Sequence, residues 1–132
     1  MELADLGFME AGEWESNAHI KSGITFKLND FRNERVIYAF VVDSETKYVG
    51  ICENRMTTLE DRMRRYKNLQ GAGTNKRIAG EIKKCLEVGK LVKIFALRPE
   101  SSLQYGNLTI DLVKGLENPL IEELKTSWNM QK

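Results

Sequence analysis

The amino-acid sequence predicts an α+β fold, a small mixed β-sheet of about three strands flanked by helices. Two β-branched and aromatic runs, residues 36–42 and 47–51, stand on either side of a polar turn and have the composition of a β-hairpin. Residues 91–97 form a further apolar run that is typical of a central strand. Two segments between them repeat apolar residues every three or four positions, as amphipathic helices do. Each helix therefore needs a sheet face to cover.

The helix boundaries are predicted from capping residues. Thr57 and Glu60 have capping-box spacing and precede a helix over residues 58–69. Thr74 or Asn75 is expected to cap the second helix, and Gly89 is well placed to end it, because glycine commonly follows the last turn of a helix.

The two ends of the chain have weaker patterns. Residues 24–28 are consistent with a strand, and a last helix is expected over residues 114–125, where Pro119 is tolerated best in the first turn. The start of that helix stays open because residues 108–112 alternate like a strand.

Length and composition set the broad class. A chain of 132 residues is long enough for one core without disulfide or metal staples. Its two cysteines, Cys52 and Cys85, have no C-x-x-C or zinc-ligand spacing and are interpreted as small buried hydrophobic residues. The sequence has no signal-peptide pattern and no apolar run near the roughly 20 residues that span a bilayer. We therefore expect a cytoplasmic protein with no membrane partner.

Charge is sorted along the chain, although the net charge is only +1. Residues 1–20 hold five acidic and no basic side chains, whereas residues 55–93 hold eleven basic and four acidic ones. Such an excess would neutralise several backbone phosphates, while the alternative is a solvated helix face. For a nucleic-acid partner, the expected contacts are Arg55, Arg64, Arg65, Lys67, Lys76, Arg77, Lys83 and Lys84.

The two hairpin tyrosines share a sheet face only in some registers, because side chains alternate along a strand. A five-residue loop from Asp43 to Lys47 puts Tyr38 and Tyr48 on one face, and a four-residue loop puts them on opposite faces. A β-bulge also restores a shared face. A joint chemical role needs the shared face, and simple packing is the alternative.

Three further residues have side chains suited to phosphate chemistry. Arg62 and Tyr66 are four residues apart on the first helix, so a guanidinium and a phenol point toward one spot. The planar guanidinium fork matches a phosphate.

Glu117 forms a series with Ile121 and Leu124 at the edge of an apolar helix face. An ion pair or exposure would explain it, and so would Mg²⁺ or Mn²⁺ held by one carboxylate, water and phosphate oxygens.

Taken in order, these residues resemble the GIY-YIG nuclease family over residues 36–129. The matching pieces are Val36-Ile37-Tyr38, Tyr48-Val49-Gly50, Arg62 with Tyr66, Glu117 and Ser127-Trp128-Asn129. Val36 stands where the family has glycine, and Val49 where it has isoleucine. The interval from Tyr48 to Arg62 is longer than the family's, which leaves Arg65 as an alternative catalytic arginine.

The resemblance implies metal-dependent hydrolysis of DNA phosphodiesters with Mg²⁺ or Mn²⁺ as cofactor. Residues 36–132 would form the GIY-YIG-like nuclease domain. Residues 1–35 would be an N-terminal extension with an accessory or substrate-recognition role.

The implied catalytic residues are Tyr38, Tyr48, Arg62, Tyr66, Glu117 and Asn129. Glu117 would hold the metal, and Arg62 would stabilise the charge of the transition state. Tyr38 would take a proton from the attacking water, which requires nearby positive charge because a tyrosine pKa is ordinarily about 10. The other two tyrosines would orient water and phosphate, and Asn129 would pin the last helix to the hairpin.

Two alternatives stay open from the sequence. One is a GIY-YIG-like domain that binds nucleic acid without cutting it. The other is an unrelated α+β interaction module in which the tyrosines and the glutamate only pack. Magnesium-dependent nicking of a supercoiled plasmid is expected of the nuclease alone.

Overall fold

The computed structural model describes residues 2–100 and 103–129 and confirms the α+β class. Within these residues, five strands form an antiparallel sheet in the order β2-β1-β5-β3-β4, and a small hairpin pairs β6 with β7. The strands are β1 (Met9–Ser16), β2 (Ile24–Leu28), β3 (Ile37–Val42), β4 (Glu45–Ile51), β5 (Val92–Leu97), β6 (Gln104–Tyr105) and β7 (Leu108–Thr109).

The sheet is larger than the expected three strands and is antiparallel rather than mixed, in the part of the chain that the structure describes. The addition comes from β1, which pairs with β2 on one side and with the central β5 on the other. Its sequence hides it, because three glutamates disfavour a strand and a register shift between Glu10 and Gly12 breaks the alternation. A Cβ atom on Gly12 would lie 2.0 Å from the Lys27 carbonyl oxygen, so glycine permits the close pairing with β2.

The β3–β4 hairpin closes through Asp43 and Ser44, whose φ angles are 52° and 65°. This two-residue turn is shorter than either loop length considered from the sequence. Positive φ at both central positions is typical of the turn that matches the twist of the flanking strands, and aspartate tolerates it well.

A β-bulge follows the turn and decides which way Tyr48 points. Phe40 pairs with Tyr48, but the next pair is Val41 with Thr46, so Lys47 is the extra residue. Tyr38 and Phe40 are two residues apart on β3 and share a face. The bulge therefore brings Tyr48 to the same face as Tyr38. A joint chemical role of the two tyrosines needs this arrangement.

The two central helices are α1 (Leu59–Lys67) and α2 (Gly73–Glu87), and both confirm the apolar stripes. The α1 cap is Thr58 rather than Thr57. The Thr58 hydroxyl accepts a bond from the Asp61 amide at 3.2 Å, and the Asp61 carboxylate accepts from the Thr58 amide at 3.0 Å. Either threonine has an acidic residue three positions later, so spacing alone could not choose between them.

Helix α2 begins earlier than expected, with Ala72 rather than Thr74 or Asn75 at the N-cap. The Asn75 side chain instead donates to the Gln70 carbonyl oxygen at 2.7 Å, which folds the preceding loop onto the helix. Gly89, at φ 82°, follows the end of the helix as predicted.

The predicted last helix is divided into α3 (Leu112–Gly115) and α4 (Glu117–Leu124). Pro119 lies in the first turn of α4, and β7 precedes both helices. The strand-like alternation of residues 108–112 and the helical pattern of residues 114–125 therefore both correspond to elements of the structure.

The sheet has two covered faces. Helices α1 and α2 cover the face that contains Tyr38 and Phe40, here called the tyrosine face. Helices α3 and α4, with a short 3-10 helix (Leu3–Leu6), cover the other, aliphatic face, which β3 and β4 line with Ile37, Ala39, Val49 and Ile51.

Candidate active site

The centre of the tyrosine face is a hydrogen-bonded cluster of two phenols and a guanidinium. The Tyr38 and Tyr66 hydroxyl oxygens are 2.7 Å apart. Arg62 donates from Nε to the Tyr38 hydroxyl at 3.1 Å and from Nη2 to the Tyr66 hydroxyl at 3.3 Å. Both tyrosines are fully buried, and Arg62 is half-buried. The structure therefore brings three of the six implied catalytic residues into direct contact.

Helix geometry explains why Arg62 rather than Arg65 joins this cluster. Arg62 and Tyr66 lie one turn apart on α1, and the guanidinium carbon lies 5.6 Å from the centre of the Tyr66 ring. The same carbon lies 6.0 Å from the centre of the Tyr38 ring. These are cation–π distances, so the aromatic rings, in addition to their hydroxyls, hold the guanidinium in place.

Gly50 makes room for Tyr38, a role that the motif resemblance did not assign. The two residues are cross-strand partners in the hairpin. A Cβ atom on Gly50 would lie 2.5 Å from Tyr38 Cζ and 2.6 Å from its hydroxyl oxygen. A clue was present in the sequence, because a glycine in the interior of a strand often marks such a close approach.

Tyr48 connects the cluster to an open cleft of about 380 Å³. Its ring stacks on Phe40 with centroids 5.6 Å apart, and it meets the Tyr66 ring edge-on at 6.4 Å. The cleft lies beside the beginning of α2 and is lined by Tyr48, Arg62, Arg65, Gln70, Gly71, Ala72, Thr74 and Asn75. Its charged lining residues, Arg62 and Arg65, are both cationic, so the cleft suits an anion.

Burial keeps the three tyrosines neutral. Loss of water raises the pKa of Tyr38, and the Arg62 charge only partly opposes that effect. Burial likewise raises the pKa values of Tyr48 and Tyr66. The expectation that nearby positive charge lowers the Tyr38 pKa is therefore wrong in its net effect, because desolvation outweighs Arg62.

Glu117 is the first residue of α4 and is half-buried at the margin of the site. Desolvation raises the pKa of its carboxyl, the Glu53 carboxylate raises it further, and Arg62 lowers it. The same charge also contributes to raising the pKa of Tyr48. Glu117 is thus within electrostatic range of the cluster, on a helix that packs against β4.

Asn129 holds the C-terminal segment against β4 beside Tyr48. Its side-chain oxygen accepts from the Val49 amide at 2.8 Å, and its side-chain nitrogen donates to the Val49 carbonyl at 2.9 Å. Thr126 donates its hydroxyl to the same Asn129 oxygen at 2.7 Å. Because β4 is at the edge of the sheet, this side chain pairs backbone groups that no strand in the described part of the chain reaches.

The predicted phosphate contacts on α1 have different surroundings. Arg65 lines the cleft. Arg64 pairs with Glu60 at 3.2 Å and with Asp61 at 3.7 Å on its own helix. Lys67 places its ammonium 5.8 Å from the centre of the Phe26 ring.

The remaining predicted contacts are less uniform. Arg77 donates to the Trp128 carbonyl at 2.9 Å, which ties α2 to the C-terminal segment. Lys84 pairs with Glu81 at 3.4 Å. The exposed members are Arg55, Lys76, Lys83 and Lys84.

Elsewhere among the described residues, other features do not provide a second site of this kind. A larger groove of about 720 Å³ beside the β3–β4 turn contains none of the implied catalytic residues. Across residues 2–100 and 103–129, no three His, Cys, Asp or Glu side chains group as metal ligands. No helix in this part of the chain is long and apolar enough to cross a membrane.

Comparisons with known proteins support the fold. A scan against protein-family models gives no match, and neither does a search of curated proteins. Among solved structures, a mutant of bacteriophage T4 EndoII is similar with a TM-score of 0.70 and 20% identity, over 96% of this chain and 94% of that one. The restriction endonuclease HPY188I in complex with product DNA is similar with a TM-score of 0.54 and 20% identity, over 100% of this chain and 84% of that one. At this identity the likeness establishes a shared fold.

Proposed function

We propose that this protein is a metal-dependent DNA endonuclease of the GIY-YIG type. The observation that carries the proposal is the Tyr38–Tyr66–Arg62 cluster at the side of a cationic cleft, with Glu117 in electrostatic range. The motif order and the fold of a restriction endonuclease bound to product DNA support the same activity. DNA is the proposed partner, and the basic stretch over residues 55–93 would contact its phosphates.

Arg62 is the proposed ligand of the scissile phosphate. Two phenols and their rings fix its guanidinium, so little side-chain freedom remains to be lost when it binds. A fixed cation in a partly desolvated site stabilises the extra negative charge of the transition state more strongly than one in water. Arg65 lines the same cleft and would contact the phosphate backbone nearby.

Glu117 is the proposed metal ligand. A single half-buried carboxylate fits Mg²⁺ or Mn²⁺, which usually keep several waters and use few protein ligands. A bound divalent cation would supply Lewis-acid stabilisation of charge on the phosphate oxygens. Because the pKa of Glu117 is raised, protons compete with the cation at a higher pH than they would at an ordinary glutamate.

Two tyrosines are candidates to take the proton from the attacking water. Tyr38 has the position that the motif implies, and its proton has a path along the 2.7 Å contact to Tyr66. Tyr48 is favoured by access, because it lines the cleft whereas Tyr38 is fully enclosed. Burial raises both pKa values, so either phenol begins neutral and can accept the water proton only as its own hydroxyl proton leaves. That proton would pass to solvent in the cleft, directly from Tyr48 or from Tyr38 by way of Tyr66 and Tyr48.

The test is Mg²⁺-dependent nicking of supercoiled plasmid by the wild type and by Glu117→Ala. We expect the variant to lose at least about a thousandfold in rate, because a metal ion contributes several kcal/mol to such a transition state. Salt-sensitive DNA binding should be largely unchanged, since phosphate affinity resides elsewhere. DNA binding without any cleavage by the wild type would favour the non-catalytic alternative, and cleavage by Glu117→Ala at the parental rate would remove Glu117 from the site.

A further inference from the structure

One short segment, residues 32–36, joins two of the elements that carry the candidate site. The carbonyl oxygens of Arg32 and Glu34 accept hydrogen bonds from the first two amides of α1 at 3.1 and 2.9 Å. The Val36 carbonyl accepts from the Cys52 amide, just beyond β4, at 3.1 Å. The beginning of the helix that carries Arg62 is thereby fixed to the end of the strand that carries Tyr48.

Arg35 extends this connection to a third element through its side chain. Its Nε donates to the Cys52 carbonyl at 2.9 Å, and its Nη2 donates to the Glu53 carbonyl at 2.7 Å. The two Nη atoms also form a bidentate pair with the Asp111 carboxylate at 3.0 and 2.9 Å. A guanidinium group that makes four hydrogen bonds to two chain segments has few alternative orientations.

Asp111 in turn begins the segment that leads to Glu117. Its Oδ1 accepts from the Val113 amide at 3.2 Å and caps α3. The Leu116 amide then bonds to the Leu112 carbonyl at 3.0 Å, and α4 starts at Glu117 without an intervening loop. The position of Asp111 therefore constrains where the Glu117 carboxylate enters the site.

We propose that the Arg35–Asp111 pair positions Glu117 for metal binding against Arg62 and Tyr48. The inference rests on the proposed nuclease function. Arg35 and Asp111 are positioning residues, because they act through Glu117 and neither lines the cleft. Arg35 is only 20% exposed in its side chain, so the pair is better ordered than a fully solvated ion pair.

The first experiment measures the Mg²⁺ concentration that gives half-maximal plasmid nicking. For Arg35→Gln we expect this concentration to rise about tenfold, the lower end for a residue that orients a metal ligand. The kcat at limiting Mg²⁺ should fall while the KM for DNA stays unchanged. Asp111→Asn is the matched partner variant, because asparagine still caps α3 but no longer pairs with a charge.

A double-mutant cycle tests whether the two residues act as a unit. If the pair acts as a unit, the Arg35→Gln/Asp111→Asn double variant should need no more Mg²⁺ than the worse single variant. Glu10→Gln is the control, since it removes an ion pair with Lys93 at 3.2 Å, away from the cleft. Circular dichroism would verify that each variant is folded.

The outcomes distinguish this inference from the proposed function. An active wild type whose Arg35→Gln variant keeps the parental Mg²⁺ requirement would overturn the positioning role alone. If the wild type does not nick DNA, paramagnetic broadening of amide NMR signals by Mn²⁺ gives the second measurement. Broadening around Glu117 that weakens in Arg35→Gln would support the positioning role, and equal broadening in both proteins, or none in the wild type, would overturn it.

Discussion

The two faces of the central hairpin differ in chemistry although the same two strands build both. On the tyrosine face, β3 presents Tyr38 and Phe40. On the aliphatic face it presents Ile37 and Ala39, which pack against the elements at the two ends of the chain. Alternation along a strand is sufficient to produce this division.

The difference lies in what each face requires of its neighbours. An aliphatic face needs only apolar partners, which tolerate conservative exchange. Buried hydroxyls on the tyrosine face need hydrogen bonds, and Tyr38 obtains them from Tyr66 and Arg62. The polar groups therefore hold one another in a single arrangement, which is the condition that a catalytic site needs.

The strongest test of this comparison is Gly50→Ala, which adds one methyl group beneath Tyr38. Because that carbon would lie 2.5 Å from Tyr38 Cζ, the ring must move and the contacts to Tyr66 and Arg62 must change. We expect a loss of about 1–3 kcal/mol in the free energy of unfolding and at least about a hundredfold in cleavage rate. Urea unfolding and plasmid nicking measure the two effects. Parental activity would show that the cluster geometry is not needed for cleavage.

Tyr38→Phe removes one hydroxyl and keeps the ring. We expect cleavage to fall by at least about a hundredfold, the lower end for a positioned acid or base, and stability to fall by about 1 kcal/mol. Arg62→Lys is the matched control, because it keeps the charge, loses the planar fork and should also cleave slowly while folded. Parental cleavage by Tyr38→Phe together with slow cleavage by Tyr48→Phe would transfer the proton-accepting role to Tyr48.

High pH should destabilise the tyrosine face specifically. Burial raises the pKa of Tyr38, Tyr48 and Tyr66 above the ordinary value of about 10, so the folded state keeps protons that the unfolded state loses. The stabilising effect is complete below about pH 10 and declines as pH rises from there toward the folded pKa values. Urea unfolding between about pH 8 and pH 11 should show a smaller decline for Tyr66→Phe. An identical decline in both proteins would count against this origin.

Ile37→Val is the smallest change and tests the aliphatic face next to Tyr38. Ile37 is fully buried, and we expect a loss of about 0.5–1.5 kcal/mol in the free energy of unfolding. The cleavage rate at saturating Mg²⁺ should stay within about twofold of the parental rate, because the methylene that is removed faces away from the cluster. A much larger loss of activity would mean that the two faces are coupled through the strand.

Much of the fold could be predicted because the relevant information is local. The periods of the apolar residues predicted α1 and α2, and Gly89 marked the end of the second. The strand β1 was missed because its glutamates and its register shift mask any alternation, and only its pairing with β2 and β5 makes it a strand. The Thr58 cap was missed because two adjacent threonines offered the same spacing.

The amino-acid sequence alone was enough to identify the chemical groups and their order along the chain: two hairpin tyrosines, an arginine and a tyrosine one helical turn apart, and a glutamate at the edge of the apolar face of a late helix. The side of the sheet on which Tyr48 lies followed only from the three-dimensional arrangement, because a single bulge residue reverses it. The same arrangement also makes burial outweigh Arg62 in raising the Tyr38 pKa, and it lets Arg35 reach Asp111. These outcomes depend on distances between segments far apart in sequence, and local periodicity and spacing carry no information about such distances.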